Sequence, residues 1–506
     1  MSNMTRSSRA ALAMHEMFKL ENGLRAMEDE EIDLTAELET LRESIVTRRR
    51  HVANMRNGRA LIHILPVEML AATFLSGATE WDDYALTISH VCQHWRSTAL
   101  SLPALWSRIH ICPSRERLRM IKLLLHRSQG HSLDILVYLN KWEIEEAAEF
   151  DEETGEFGDQ YKKLRNQLNL VSDTVPRWRS LAIYDASYKI YAEILPFLSG
   201  AAAPLLEVLD VRCHEDFNYE NDTDFSGVLG FFVGGAPKLH DVTFRGLSCY
   251  VPEFPSVNVL RLRDVGGSYI YQQIRQAAAS LTEMHLLGRM TEIPRWRVGP
   301  SCTLPHLKSL VIAPWDDKIT DLLGFMNAPT LSSLSVELDF METSAFNTAL
   351  LSVRGSLTLS LESLSLYYAD FTPSFAETVT LKIPSIQHLT LSSCKAHAHL
   401  LQHLLNPVTG GGIPWPQLET IFFSPDTQHP PPAIDASDID IICDLVADRM
   451  VRQIPLVSII FDSSTFKVCD KEQLGWLRRR VSVISRPVEP RTTNSAVISR
   501  CDNRAG

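Results

Sequence analysis

Eleven short segments between residues 176 and 461 share one spacing of apolar residues, and this repeat constrains the fold more than any other feature. Each segment has apolar residues at its third, sixth and eighth positions, as in PLLEVLDV, PHLKSLVI and PSIQHLTL. The sixth and eighth residues lie on the same side of a β-strand. Since one such strand cannot bury its apolar side alone, we expect the units to stack into one continuous core.

The separations between successive units resemble those of leucine-rich repeats. The sixth-position residues are spaced by 18 to 38 residues, and leucine-rich repeats place a strand and then a helix or turn in each unit of similar length. We therefore expect an α/β fold with an irregular leucine-rich-repeat-like solenoid at residues 176–485. The leucine-rich-repeat consensus L-x-x-L-x-L-x-x-[NC], which begins at the third residue of each unit, ends on Cys or Asn in one unit alone, at Cys394. The asparagine ladder of regular repeats is therefore absent, and we do not expect a smooth horseshoe.

A heptad pattern occupies the N-terminal region and predicts a coiled-coil helix at residues 16–58, after a disordered leader at 1–15. Its seam residues alternate in spacings of three and four: Met17, Leu20, Leu24, Met27, Glu31, Leu34, Leu38, Leu41, Ile45, Arg48, Val52 and Met55. Only Glu31 and Arg48 are not apolar. Two interpretations stay open: a single amphipathic helix packed on the next domain, or a coiled coil that associates with itself or with another protein.

Residues 62–111 form the most informative segment of the chain, with a dense set of Leu, Ile and Met residues. Pro66 suits the first turn of a helix, in which Val67, Leu70 and Phe74 share one face. A turn near Gly77 precedes a second helix, and Pro103 opens a last turn. About 50 residues rarely build a stable core alone, yet this segment carries three tryptophans. We therefore expect part of its apolar surface to be covered by the rest of the chain or by a partner.

This segment resembles the F-box, in the fungal form that often follows a short coiled coil. The matching residues are Leu65, Pro66, Glu68, Leu70, Val91, Cys92, Trp95, Arg96, Ala99, Pro103, Leu105 and Trp106. The resemblance implies docking on the small adaptor protein of SCF-type ubiquitin ligases and, through it, on the cullin. The residues implied in adaptor binding are Leu65, Pro66, Glu68, Leu70, Val91, Cys92, Trp95, Leu105 and Trp106. Two alternatives stay open, namely that Trp95 is a core residue and that these helices dock only on their own chain.

Three consecutive repeat units have Arg at their ninth position: Arg212, Arg245 and Arg263. Stacked strands would bring these side chains into a row, about 5 Å apart. A basic row of this kind can bind an acidic or phosphorylated segment of a substrate protein. The alternative is three solvated arginines offset by nearby acidic residues.

Charge and cysteine content limit the remaining classes. The net charge is −12, and nine of the acidic residues lie in one connector segment, Glu143 to Asp159, within a connector at 112–175. We expect a disordered acidic loop at 143–160 and a disordered tail at 486–506. A basic nucleic-acid-binding protein is not expected. Nine scattered cysteines without a C-x-x-C pair predict no disulfide framework and favour a reducing compartment, cytoplasmic or nuclear. No apolar run is long enough for a membrane span.

No nucleotide-binding loop, metalloprotease helix or hydrolase elbow occurs in the sequence, so we expect no enzyme activity, cofactor or metal. The expected function is substrate recognition within an SCF-type ubiquitin ligase, with the F-box docked on the adaptor protein and the repeat domain bound to a target protein. The alternative is a non-ligase repeat scaffold, in which the F-box-like helices cap the solenoid.

Overall fold

The computed structural model describes most of the chain, with gaps between its elements. The described residues are 6–57, 61–78, 83–112, 117–138, 159–186, 188–213, 231–246, 256–265, 267–288, 301–314, 319–338, 343–352, 360–406, 412–424, 434, 436–462 and 469–486. All but the last two residues of the predicted acidic loop at 143–160, and all but the first residue of the predicted tail at 486–506, lie outside these ranges. The chain divides into two compact units, Met1–Trp106 and Ser107–Gly506.

The first unit begins with one long helix, as the heptad pattern predicts. Helix α1 spans Arg6–Asn57. It therefore includes residues 6–15, which the sequence assigned to a leader. The charged residues between the seam positions suit a helix whose other faces are solvated. No helix among the described residues combines the length and apolarity that a membrane span needs.

Short helices form the rest of the first unit. They are a 3₁₀ turn at Leu61–Ile64, α2 (Val67–Gly77), α3 (Tyr84–Ser89), α4 (Gln93–Leu100) and a 3₁₀ turn at Pro103–Trp106. Contacts join α2 to α3, to α4 and to the last turn, and α3 to α4. The buried apolar residues are Leu70, Phe74, Ile88, Ala99, Leu105 and Trp106.

The second unit is built on a sheet of fourteen parallel strands arranged in chain order. The strands are β1 (Arg108–Ile111), β2 (Leu133–Tyr138), β3 (Trp178–Ala186), β4 (Val208–Cys213), β5 (Asp241–Arg245), β6 (Val259–Arg263), β7 (Glu283–Gly288), β9 (Ser309–Pro314), β11 (Ser333–Glu337), β12 (Ser363–Tyr367), β13 (His388–Ser392), β14 (Thr420–Ser424), β15 (Ser458–Asp462) and β16 (Ser482–Arg486). Two short strands, β8 (Cys302–Thr303) and β10 (Met326–Asn327), pair separately. The predicted α/β class is thereby confirmed.

Helices connect many of these strands. They are α5 (Leu118–Arg127), α6 (Asp159–Ser172), α7 (Tyr188–Ser199), α8 (Gly267–Ala277), α9 (Ile319–Phe325), α10 (Thr343–Ser352), α11 (Pro373–Lys382), α12 (His397–Leu405), α13 (Ala436–Val451) and α14 (Lys471–Arg478), with a 3₁₀ turn at Val175–Arg177. From α9 to α14, each helix contacts the next one along the chain. Parallel strands require such crossover connections.

The eleven predicted units correspond to strands β3 to β7, β9 and β11 to β15, in the predicted register. Their sixth-position residues pair with one another from strand to strand, and each is at most 2% exposed: Leu181, Leu209, Val242, Leu260, Met284, Leu310, Leu334, Leu364, Leu389, Ile421 and Ile459. The sheet also extends beyond the predicted range, since β1 and β2 add Ile109 and Ile135 to the same buried row.

Side-chain hydroxyls at the second position of several units link each unit to the one before it. Ser280 Oγ donates to the carbonyl of Val257 at 2.8 Å, and Thr330 Oγ1 donates to the carbonyl of Leu307 at 3.1 Å. Ser256 and Ser360 make the same kind of bond to the preceding unit. These hydroxyls satisfy carbonyl groups in the turns before the strands.

We predict that the hydroxyl ladder contributes measurably to stability. Thr330→Val keeps the shape of the side chain but removes its bonds to the carbonyls of Pro305 and Leu307, so the free energy of unfolding is expected to fall by about 1 kcal/mol. Urea unfolding followed by circular dichroism measures this change. Thr348→Val is the matched control, because Thr348 is exposed on α10 and its hydroxyl bonds only within the helix, to Ser344. Equal effects of the two substitutions would contradict the prediction.

Candidate functional site

The first unit exposes an apolar segment at the start of α2. From Ile64 to Met69 the sequence is ILPVEM, and all six residues are exposed. Ile64 is 75% exposed, Met69 57% and Leu65 39%. Glu68 is the one polar residue among the six. Apolar side chains concentrated on a surface in this way mark a site for another molecule.

The backbone holds this Ile64–Met69 segment in a fixed conformation. Pro66 lies at the N-terminal end of α2 with φ −53° and ψ 147°, angles that proline and the residue before a helix both favour. The carbonyl of Pro66 accepts hydrogen bonds from the amides of Met69 at 3.0 Å and Leu70 at 3.1 Å. Because Leu70 and Phe74 are buried one and two turns further on, they anchor the helix and leave the segment on the surface.

The start of α4 adds the second part of the candidate site. Val91 is exposed, and Cys92 and Trp95 are half-buried. Cys92 is the N-cap of α4, where its Sγ accepts a hydrogen bond from the amide of Trp95 at 3.4 Å. The Trp95 ring lies 5.0 Å from the ring of Phe74, centroid to centroid. Trp95 therefore belongs partly to the core and partly to the surface.

Three of the residues that the resemblance implies in adaptor binding are buried in the structure. Leu70, Leu105 and Trp106 are at most 4% exposed. The Nε1 of Trp106 donates to the carbonyl of Ala99 at 2.8 Å, which joins the last turn to α4. These three side chains belong to the core beneath the exposed Leu65, Pro66, Glu68 and Val91.

Five exposed apolar residues near this region were not among the predicted site residues: Ile64, Val67, Met69, Leu75 and Leu100. Val67 was expected on the same helix face as Leu70 and Phe74, but it is 48% exposed because α2 begins there and the core lies one turn further on. Ile64 and Met69 carry a sequence signal of their own, since they continue the apolar run on both sides of the Leu-Pro pair.

The sheet brings the three predicted arginines together. Arg212 pairs in register with Arg245, and Arg245 with Arg263, at the ends of β4, β5 and β6. The guanidinium of Arg212 binds Asp210 through two hydrogen bonds of 2.6 and 2.9 Å. Tyr184 donates to the same carboxylate at 2.9 Å, and Arg212 lies over its ring, 4.6 Å from the centroid. Burial and the charge of Asp210 raise the pKa of Tyr184, which keeps this hydroxyl a donor.

Acidic side chains also accompany the other arginines of this face. Arg261 bridges Asp241 at 2.7 Å and Glu283 at 3.1 Å. Arg263 lies 3.5 Å from Asp264 and keeps 40% of its side chain exposed. Arg212 and Arg263 are therefore each paired with an acidic side chain, Arg212 with Asp210 and Arg263 with Asp264. Arg263 has the greater exposure of the two and is better placed to meet a ligand.

Some of the described cysteine thiols have raised pKa values, and one described histidine bonds a threonine. Burial raises the pKa of the Cys394 thiol to about 12 and that of Cys443 to about 11. His403 Nε2 lies 2.9 Å from Thr380 Oγ1. Within the described ranges, no three His, Cys, Asp or Glu side chains are grouped so that they could hold a metal ion.

Comparison of the sequence with models of known protein families and with curated proteins finds no match. The resemblance to the F-box therefore depends on the residues themselves and on their placement in the first unit.

Cys394 provides a test of the buried-thiol assignment. Its thiol donates to the carbonyl of Leu366 at 3.3 Å, and its pKa of about 12 lies far above the pH of an alkylation experiment. Because only the thiolate reacts, alkylation of Cys394 by iodoacetamide at pH 8 is expected to be about 1,000-fold slower in the folded protein than in urea. Mass spectrometry of the labelled peptide, with Cys394→Ser as the control for its identity, measures both rates. Similar rates in the two conditions would refute the assignment.

Proposed function

We propose that the protein is the substrate-recognition subunit of an SCF-type ubiquitin ligase. The observation that carries the proposal is the exposed apolar Ile64–Met69 segment, which stands on a buried helical core and contains the Leu-Pro pair of the F-box resemblance. In this proposal Leu65, Pro66, Glu68 and Val91, with the exposed part of Trp95, bind the adaptor protein, which holds the cullin.

An apolar surface of this kind supports binding, because its removal from water lowers the free energy of the complex. Apolar anchors at the centre of an interface commonly contribute about 2 kcal/mol or more each. The core behind the segment is fixed by the Trp106 to Ala99 hydrogen bond and the Phe74–Trp95 ring contact. A preorganised surface loses little conformational entropy on binding.

We propose that the second unit is an irregular leucine-rich-repeat-like solenoid that binds the target protein. The chain-ordered parallel sheet and its repeat register support this assignment. The protein then acts by raising the effective concentration of the target near the transferring enzyme. On the sheet face, Arg263 is the favoured contact for an acidic or phosphorylated target segment. A ligase of this type acts in the cytoplasm or nucleus.

A non-ligase scaffold is the second candidate. In this alternative, the F-box-like helices act as a cap of the repeat solenoid. In that case the Ile64–Met69 segment would have no role in adaptor binding. Binding to purified adaptor protein separates the two functions.

The adaptor-binding proposal predicts the effect of one double substitution. Leu65→Ala with Pro66→Ala removes exposed apolar groups, so binding to the purified adaptor protein is expected to weaken at least 10-fold, to the point where co-purification is lost. The fold is expected to be retained, because neither Leu65 nor Pro66 is buried. Isothermal titration calorimetry measures the affinity, and circular dichroism checks the fold.

Leu381→Ala serves as the matched control, because Leu381 is 69% exposed on α11 in the second unit. It is expected to leave adaptor binding unchanged. Undiminished binding by the folded double variant, or no binding by the wild-type chain, would reject the ligase proposal.

A further inference from the structure

Helix α1 carries a continuous apolar stripe that the described chain leaves exposed. The ten apolar seam residues between Met17 and Met55 are each between 41% and 75% exposed. A stripe with this heptad spacing is the surface on which helices form coiled coils. The two charged residues of the seam, Glu31 and Arg48, indicate which partner helix can cover the stripe and in which orientation.

A parallel pairing of two copies in register is unfavourable at both charged positions. It would place Glu31 against Glu31 of the second copy, and Arg48 against Arg48, inside the seam. Like charges brought together away from water repel each other, and neither has a compensating partner there. Parallel pairing would in return cover Met17 and Leu20, two apolar positions near the N-terminal end.

We propose that two copies of this chain pair through α1 as an antiparallel coiled coil, in the register that places Glu31 of each copy opposite Arg48 of the other. In this register the numbers of opposed seam residues add to 79. The two charged interruptions then neutralise each other, once on each side of the two-fold axis, as an interface between identical copies requires. The other opposed seam pairs are all apolar: Leu24 with Met55, Met27 with Val52, Leu34 with Ile45, and Leu38 with Leu41.

The register is specific, because sliding the helices by one heptad in either direction breaks the charge match. Glu31 would then lie opposite Leu41 or opposite Met55, and Arg48 would also face an apolar residue. A charge placed against an apolar side chain loses its hydration without gaining a partner. Single polar positions in a coiled-coil seam are known to fix register in this way.

The charges beside the seam favour the same orientation. Between residues 16 and 43 the helix has ten acidic and three basic residues, whereas between 44 and 57 it has four arginines and no acid. An antiparallel arrangement opposes the acidic part of one helix to the basic part of the other. The flanking positions that approach each other are Glu21 with Arg56, Glu28 with Arg49, Glu30 with His51, Thr35 with Arg42, and Glu37 with Ser44. None of these is a like-charge pair.

The pairing sets the distance between the two helical modules, by which we mean the short helices α2 to α4 that follow α1 in each copy. Residues 22–57 of one α1 lie along residues 57–22 of the other, a length of about 50 Å at 1.5 Å per residue. The chain leaves α1 at Asn57, so the two modules that follow emerge from opposite ends of the coiled coil. This inference does not depend on the ligase role of the Ile64–Met69 segment, and the two are tested by separate measurements.

Charge exchange in the full-length chain tests the register. Glu31→Arg and Arg48→Glu are each expected to weaken the dimer at least 10-fold in sedimentation velocity experiments, because each creates two like-charge pairs. The double variant is expected to regain wild-type affinity, and an equal mixture of the two single variants is expected to form a heterodimer. Glu39→Arg, which changes an exposed charge away from the seam, is the control. A chain that stays monomeric at about 100 µM, or single variants that dimerise as well as wild type, would overturn the proposal.

Disulfide trapping tests the orientation independently. Leu34→Cys and Ile45→Cys are prepared as separate chains with tags of different size and oxidised alone or mixed, with the wild-type chain as background. The antiparallel register predicts a covalent dimer in the mixture and none from either chain alone. Covalent dimers from each chain alone would show a parallel coiled coil and overturn the proposal. Circular dichroism of every variant checks that α1 remains helical.

Discussion

The fold depends on the need of each strand for a neighbour. A unit such as PHLKSLVI presents Leu310 and Ile312 on one side of a short strand, and those side chains are buried only when the adjacent units add their own apolar residues to the row. Parallel pairing in chain order meets this need and also satisfies the backbone hydrogen bonds. The turns between elements need further donors. Arg449, 1% exposed on α13, supplies some by donating to the carbonyls of Trp415 at 2.9 Å and Ile454 at 3.3 Å.

Much of the sheet can be read from the sequence, because the alternation of apolar residues reports directly on which side of a strand is buried. All eleven units were located this way, and so was the register that brings Arg212, Arg245 and Arg263 together. Strands β1 and β2 were not assigned to the sheet, because β1 has four residues and no unit spacing. The buried Arg449 was also missed. Its burial depends on carbonyls from residues more than thirty positions earlier, which no local pattern reveals.

In the helical module, the sequence predicts which residues belong to the candidate site but not which of them are exposed. The sequence identifies the Leu-Pro pair and the tryptophans, but it does not distinguish an anchor that points outward from one that points inward. Three-dimensional packing decides this: Trp106 turns inward to bond Ala99, while Leu65 remains on the surface. In the sheet, the arginines were placed correctly, but their acidic neighbours, such as Asp210 beside Arg212, determine how much positive charge is available.

Chain-ordered pairing also affects how the protein is made and how it yields to force. In the fourteen-stranded sheet, each strand from β2 onward pairs with a strand that left the ribosome earlier, so the sheet can grow during translation without waiting for distant sequence. The same ordering means that tension on the C-terminal end peels strands away one after another, beginning with β16. An unfoldase that engages this end would therefore dismantle the sheet in small steps, each opposed by the strand and helix contacts of one unit with the next.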